Sequence, residues 1–170
     1  AIRALAAKGA VVTSEMEVFF QVCPCHTIAV TGSDGKTTTT TLISEMLKAS
    51  GKTVWLGGNI GTPLLPLIDQ IRDTDYAVVE LSSFQLEGIT PKVHRACITN
   101  LTENHLDHHG SMDAYRAAKE NLLKGSIPIL SADDPATREI AARTARPVLF
   151  SATHTAEEVY RDFPDGARVF

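Results

Sequence analysis

A chain of 170 residues, 44% hydrophobic and 21% charged, has room for one packed domain and little more. Its net charge of −4 excludes whole-chain attraction to nucleic acid or to an anionic membrane surface. No apolar run approaches the roughly 20 residues of a membrane-spanning helix. Three cysteines (Cys23, Cys25, Cys97) are too few, and odd in number, for a disulfide framework, which points to a reducing cytoplasm.

The opening AIRALAAKGA has neither an initiator Met nor a signal-peptide core, so the chain reads as a piece of a longer one. Residues 1–9 are expected as a short helix, residues 10–13 as a short strand, and Glu15–Val22 as a brief amphipathic helix closed by Pro24. The run C-P-C-H at 23–26 lacks zinc-knuckle spacing and a second Cys/His pair, and is read as linker. From His26 onward apolar runs alternate with polar turns and helical patterns. Thr27–Thr31 reads as a strand, Lys36–Ser50 as a helix with Gly51 at its C-terminal cap, and Thr53–Leu56 as a strand. Thr62–Ile71 is expected to be helical, and Tyr76–Glu80 and Ala96–Asn100 to be strands. Asp113–Lys124 reads as a helix N-capped by Ser111, followed by strand, helix and strand at Ile127–Ser131, Thr137–Arg143 and Pro147–Phe150. This alternation predicts an α/β fold, a mostly parallel sheet flanked by helices, with ligands beyond the carboxyl ends of its strands.

The polar residues after each strand are therefore the candidates: Thr31–Thr38, Gly57–Gly61, Glu80–Gln85 and Asn100–His109. The first group carries G-S-D-G-K-T between a strand and a helix. Gly32 and Gly35 permit the tight turn, and with Ser33, Asp34 and Thr38 they present backbone N–H groups to an anion. Lys36 would reach phosphate oxygens and the Thr37 hydroxyl would ligate Mg²⁺. The usual first glycine is Val30 here, so a lysine-bearing surface turn is the competing reading. Threonine is a poor helix former, and the run Thr37–Thr41 is tolerated because a first turn has unpartnered N–H groups; Thr39–Thr41 have no role beyond packing.

Glu80 ends an otherwise apolar strand, as either a metal-paired carboxylate or a strand end facing water. The loop N-L-T-E-N-H-L-D-H-H-G holds His105, His108 and His109, and His105 sits two residues before Asp107 on the expected ligand side. Periodicity alone makes Lys119 a solvent-facing helical lysine.

As an ordered set, TGSDGKTTTT, GGNIGTP, VVELSSFQLE, ITNLTENHLDHHGS and YRAAK resemble the central domain of the Mur ligases. GGNIG and ELSSFQLE are most similar to the branch that adds D-glutamate to UDP-N-acetylmuramoyl-L-alanine, and TSEMEVFF resembles the segment closing that branch's N-terminal domain. The resemblance implies that residues 1–25 are the tail of a UDP-binding domain with its linker. Residues 26–170 would then be part of the P-loop-containing ATP-binding domain, with the C-terminal amino-acid-binding domain absent, so that the chain alone would not catalyse ligation.

The implied activity is ATP-dependent ligation in cytoplasmic peptidoglycan precursor synthesis, through an acyl phosphate. Its cofactors would be ATP and two Mg²⁺, its substrates UDP-N-acetylmuramoyl-L-alanine and D-glutamate, and no protein partner is implied. By the same resemblance Lys36 matches the phosphate-binding lysine, Thr37 and Glu80 match ligands of the nucleotide Mg²⁺, and His105 matches a ligand of the second. Lys119 matches a carbamylated lysine, whose anionic oxygen replaces a repelling ammonium as a metal ligand, while Asn59 and Ser82 match contacts to the UDP-sugar-peptide. Two departures stand out: Asn104 where relatives often have Asp, and Asp107-His108-His109 where the family frequently has D-R-H. Another Mur-type or folylpolyglutamate-type amide ligase, or a non-catalytic nucleotide-binding module, are the alternatives.

Overall fold

The computed structural model describes residues 7–11, 13–164 and 168–169. Of the helix expected over residues 1–9 only Ala7–Gly9 is described, as a turn, and residues 10, 11 and 13 lie outside any strand. The first helix, α1 (Glu15–Val22), starts where the Ser14 hydroxyl accepts the Glu17 N–H, and buries Met16, Phe19 and Phe20. Cys23 and Cys25 form the link to β1 (His26–Thr31), with their sulfurs 3.5 Å apart. There follow α2 (Lys36–Ala49), β2 (Val54–Gly58), β3 (Tyr76–Glu80), α3 (Ser83–Leu86), β4 (Arg95–Ile98) and α4 (Leu106–His109). The chain continues through α5 (Met112–Glu120), β5 (Ile127–Ser131), α6 (Pro135–Ala142), β6 (Val148–Phe150), α7 (Ala156–Asp162) and β7 (Arg168–Val169).

The strands form one parallel sheet in the order β2-β3-β1-β4-β5-β6-β7. β1 and β3 are almost wholly buried, as runs rich in Val, Ile and Ala covered on both faces must be. One apolar cluster joins Phe19 and Phe20 of α1 to Ala29, Val79, Leu81 and Ala96, and a second gathers Ile98, Tyr115, Leu130, Ile140 and Leu149. The chain leaves β3 on one side of β1 and returns as β4 on the other. That reversal opens a crevice at the carboxyl ends of β1, β3 and β4, the usual ligand position in such sheets. Among the described residues no helix is long and apolar enough to cross a membrane.

The mostly parallel, helix-flanked sheet expected from the sequence is present, and several local expectations are corrected. β2 runs on to Gly58, because Gly58 stays in register with Glu80 although glycine weakens a strand. Leu65–Gln70 is a 3₁₀ helix rather than the expected α-helix over Thr62–Ile71, with Pro66 near its start. β4 ends at Ile98, and α5 gives way to a 3₁₀ turn at Asn121–Leu123. α6 begins two residues early, with the Asp134 side chain capping the Thr137 N–H and Pro135 at the first helical position. α3, α4, α7 and β7 were not expected.

Candidate functional site

The loop after β1 is a backbone turn that only glycine at position 32 allows. Gly32 has φ +151°, and a Cβ there would lie 1.9 Å from Thr99 Oγ1. The next two residues are tied to the segment after β4. Ser33 N–H donates to the Asn100 carbonyl at 2.9 Å, and its hydroxyl contacts Thr102 O and Tyr115 OH, both at 2.9 Å. The Asn100 side chain clamps Asp34, accepting its N–H at 3.0 Å and donating to its carbonyl at 3.1 Å. Ser33 and Asp34, expected to face phosphate, thus spend these groups on holding the loop. The loop ends at Gly35, the left-handed N-cap of α2, and the N–H groups of Lys36, Thr37 and Thr38 open the helix without intrahelical partners. They carry the positive end of its dipole. In the threonine run, Thr40 is buried and its hydroxyl bonds back to Lys36 O at 2.7 Å, which gives one of the unassigned threonines a place.

Glu80 is 1% exposed, which removes the reading of a strand end facing water. Its carboxylate oxygens each accept one bond from a different segment: Thr37 Oγ1, in the first turn of α2, donates to Oε2 at 2.8 Å, and Asn59 Nδ2, in the loop after β2, to Oε1 at 3.1 Å. Gly58 permits this approach, since a Cβ there would meet Glu80 O at 2.1 Å.

Lys119 is likewise 1% exposed, so the expectation of a solvent-facing lysine is overturned. It lies on the inner face of α5, one turn beyond Tyr115, and its Nζ sits 4.7 Å from the Tyr115 ring centroid. The ammonium donates to Gly32 O at 2.8 Å and to Thr31 Oγ1 at 3.2 Å. Lys36 donates to the same Gly32 carbonyl at 3.0 Å and to Ser33 O at 2.7 Å. Burial, then the neighbouring Lys36 charge, push the Lys119 pKa down to about 7, against a smaller opposing pull from Glu80.

His105 is the exposed N-cap of α4, in the left-handed region at φ +54°, with its ring edge-on to Phe84 at 5.0 Å. It lines one cleft of about 200 Å³ together with Gly32, Ser33, Lys36, Asn59, Ser82, Ser83, Phe84, Asn104, Tyr115 and Lys119. The loops after four strands and the inner face of α5 therefore converge, with Thr37 and Glu80 joined to the cleft through Asn59. The Ser82 hydroxyl is engaged in a capping box with Gln85 at the start of α3. Sequence reasoning missed Tyr115 as a site residue, and placed Asn100 in a candidate segment without giving it a role. Tyr115 was findable by its four-residue spacing from Lys119, and Asn100 only by its position just past a strand.

A cleft with two lysines, a buried carboxylate, a hydroxyl and a helix N-terminus can hold a polyanion and its cation. Residues 30–165 match the sequence model of the Mur ligase middle domain. The UDP-N-acetylmuramoylalanine–D-glutamate ligase of Acetivibrio thermocellus is 49% identical over 98% of this chain and 37% of that protein. The ligase of the same name from Ruminiclostridium cellulolyticum is 57% identical over 69% of this chain and 25% of its own length. Among solved structures, MurF from Acinetobacter baumannii superposes with a TM-score of 0.58 at 24% identity, over 80% of this chain and 33% of that one. E. coli FolC in complex with ADP superposes at 0.50 and 13% identity, over 99% of this chain and 50% of that one. At these identities the two structures speak for the fold alone. The chain spans little more than a third of its curated relatives' length at most.

Proposed function

The chain belongs to the Mur ligase family, as its middle domain, and from that premise we propose that it is the nucleotide-handling part of an ATP-dependent acid–amino-acid ligase of peptidoglycan precursor synthesis. The parent would join D-glutamate to UDP-N-acetylmuramoyl-L-alanine, as the names of the two ligases describe for those proteins. The observation that carries this reading is the convergence of Lys36, Lys119, His105 and the Thr37–Glu80 pair at the carboxyl ends of β1, β3 and β4.

The residues fit Mg²⁺·ATP. A buried carboxylate whose oxygens are held by donors from two segments is costly unless a cation repays it, and the α2 N-terminus beside it suits phosphate. Bound there, Mg²⁺·ATP supplies the phosphoryl group that turns a substrate carboxylate into an acyl phosphate open to attack by an amine. Lys36 exchanges two carbonyl partners for phosphate oxygens and offsets developing negative charge. Gly32, Gly35 and the N–H groups of Lys36, Thr37 and Thr38 shape the anion seat. Ser33 and Asp34 hold that seat in place. Thr37 and Glu80 ligate the nucleotide Mg²⁺, and His105 with Lys119 ligates a second.

Lys119 needs a different charge for that role. With its pKa near 7 a large share is free amine at neutral pH. The nitrogen lone pair attacks CO₂, a C–N bond forms, and a proton leaves, giving a carbamate anion. Asn59 and Ser82 line the cleft and would contact the UDP-sugar-peptide.

The test is the full-length parent, assayed with ATP, UDP-N-acetylmuramoyl-L-alanine and D-glutamate for ADP, phosphate and the new amide. Turnover with a different amino acid but not D-glutamate would overturn the substrate. Full activity in Lys36→Ala would overturn the phosphate seat.

A further inference from the structure

Beside the nucleotide cleft lies a second cluster that this chemistry does not use. Glu87, the C-cap of α3, and the adjacent His108 and His109 of α4 bring three ligand atoms within 4.8 Å of one another. Glu87 Oε2 is 2.9 Å from His108 Nε2 and 4.0 Å from His109 Nδ1. Zinc bonds of about 2.0–2.2 Å in a tetrahedron set ligand atoms about 3.3 Å apart, a separation that the two observed distances bracket.

The cluster is also oriented as a metal site requires. The His109 side chain is 2% exposed, stacked on Phe84 at 5.5 Å and edge-on to Tyr115 at 5.4 Å, so its ring is held by packing. Its Nε2 lies 3.0 Å from Ser83 Oγ. With that hydroxyl accepting, Nε2 carries the proton and Nδ1 turns its lone pair toward Glu87, the arrangement by which an outer partner fixes a metal-binding imidazole. Glu87 and His108 are half exposed, which leaves an open side for entry and for a fourth ligand.

We propose that Glu87, His108 and His109 form a Zn²⁺ site, completed by water, that ties α4 to the end of α3 beside Phe84. Two imidazoles and one carboxylate suit zinc and disfavour Mg²⁺, which takes oxygen ligands in octahedral geometry. Phe84 touches the rings of His105, His108 and His109 alike. A metal here therefore steadies the segment that carries His105.

The experiment titrates the full-length protein with Co²⁺ under saturating Mg²⁺·ATP, reading the visible absorption of four-coordinate cobalt and its displacement by Zn²⁺. One equivalent is expected. His108→Ala and Glu87→Gln, both at exposed positions, should each weaken binding by more than about a hundredfold, beyond the 10–100-fold typical of losing an outer partner, which Ser83→Ala should show. Zn²⁺ should raise the melting temperature of the wild type and not that of His108→Ala. Absence of tetrahedral cobalt, binding that survives both ligand variants, or binding lost with Cys23→Ser and Cys25→Ser instead would each overturn the site. Saturating Mg²⁺·ATP keeps the nucleotide cations out of the reading, so failure here leaves the ligase proposal untouched.

Discussion

Glu80 and Asp133 are carboxylates at the same edge of the same parallel sheet, one closing β3 and one just past β5, and they are used in opposite ways. Asp133 is saturated by a single turn after β6: Ser151 Oγ donates at 2.5 Å, Thr153 Oγ1 at 2.6 Å and Ala152 N–H at 2.7 Å, with His154 Nδ1 at 3.0 Å. Burial pushes its pKa up, but these bonds, led by Ser151 and Thr153, outweigh it and hold the carboxyl well below the usual range. Glu80 takes one bond per oxygen, one from the first turn of α2 and one from the loop after β2. A carboxylate that one local turn satisfies is a knot in the fold. One held between distant segments is poised to exchange its partners for a ligand.

Substitutions should separate the two. In the full-length parent, Glu80→Gln should lower kcat/KM for ATP by about a hundredfold or more while leaving the melting temperature nearly unchanged. Asp133→Ala should do the reverse, leaving ATP turnover intact and costing about 2 kcal/mol through its lost hydrogen bonds. For a domain of this size that is a fall in Tm of about 4–8 °C, measurable by calorimetry. Equal losses of activity in both variants at unchanged stability would erase the distinction.

Acid sharpens it. A depressed folded pKa stabilises above the unfolded value, about 3.9 for Asp, and that stability is lost as pH falls toward the folded value. The gap between the melting temperatures of wild type and Asp133→Ala should therefore begin to narrow as pH falls below about 4. The smallest signal concerns the amine across the cleft from Glu80. With ¹³C-bicarbonate, a carbamate resonance should grow as pH rises through about 7 and be missing in Lys119→Arg. A midpoint near the ordinary lysine value of about 10.4 would show that burial does not free the amine.

The parts of the fold that read directly from the sequence were those governed by contiguous residues. β1 and β3 are apolar runs, and Lys36 to Gly51 carries its own start and stop signals. What escaped was of two kinds. The capping boxes Ser82–Gln85 and Thr155–Glu158 were visible as spacings and explain α3 and α7, yet four- and seven-residue helices have too short a period to announce themselves. The Asp133 knot and the contact of Ser33 with Tyr115, 82 residues away, depend on which strands become neighbours, and no local pattern encodes that. Periodicity misjudged Lys119 for a related reason. It locates the face of a helix but not what the sheet will lay against it.

The carbonyl of Gly32 receives both Lys36 and Lys119, so one peptide oxygen tethers two amines. The Lys36 charge adds to burial, the larger cause, in holding the Lys119 pKa down to about 7. Lys36→Ala is therefore expected to raise the Lys119 pKa, by less than burial lowers it. A change in the loop after β1 is thus expected to be felt as a change of charge on α5.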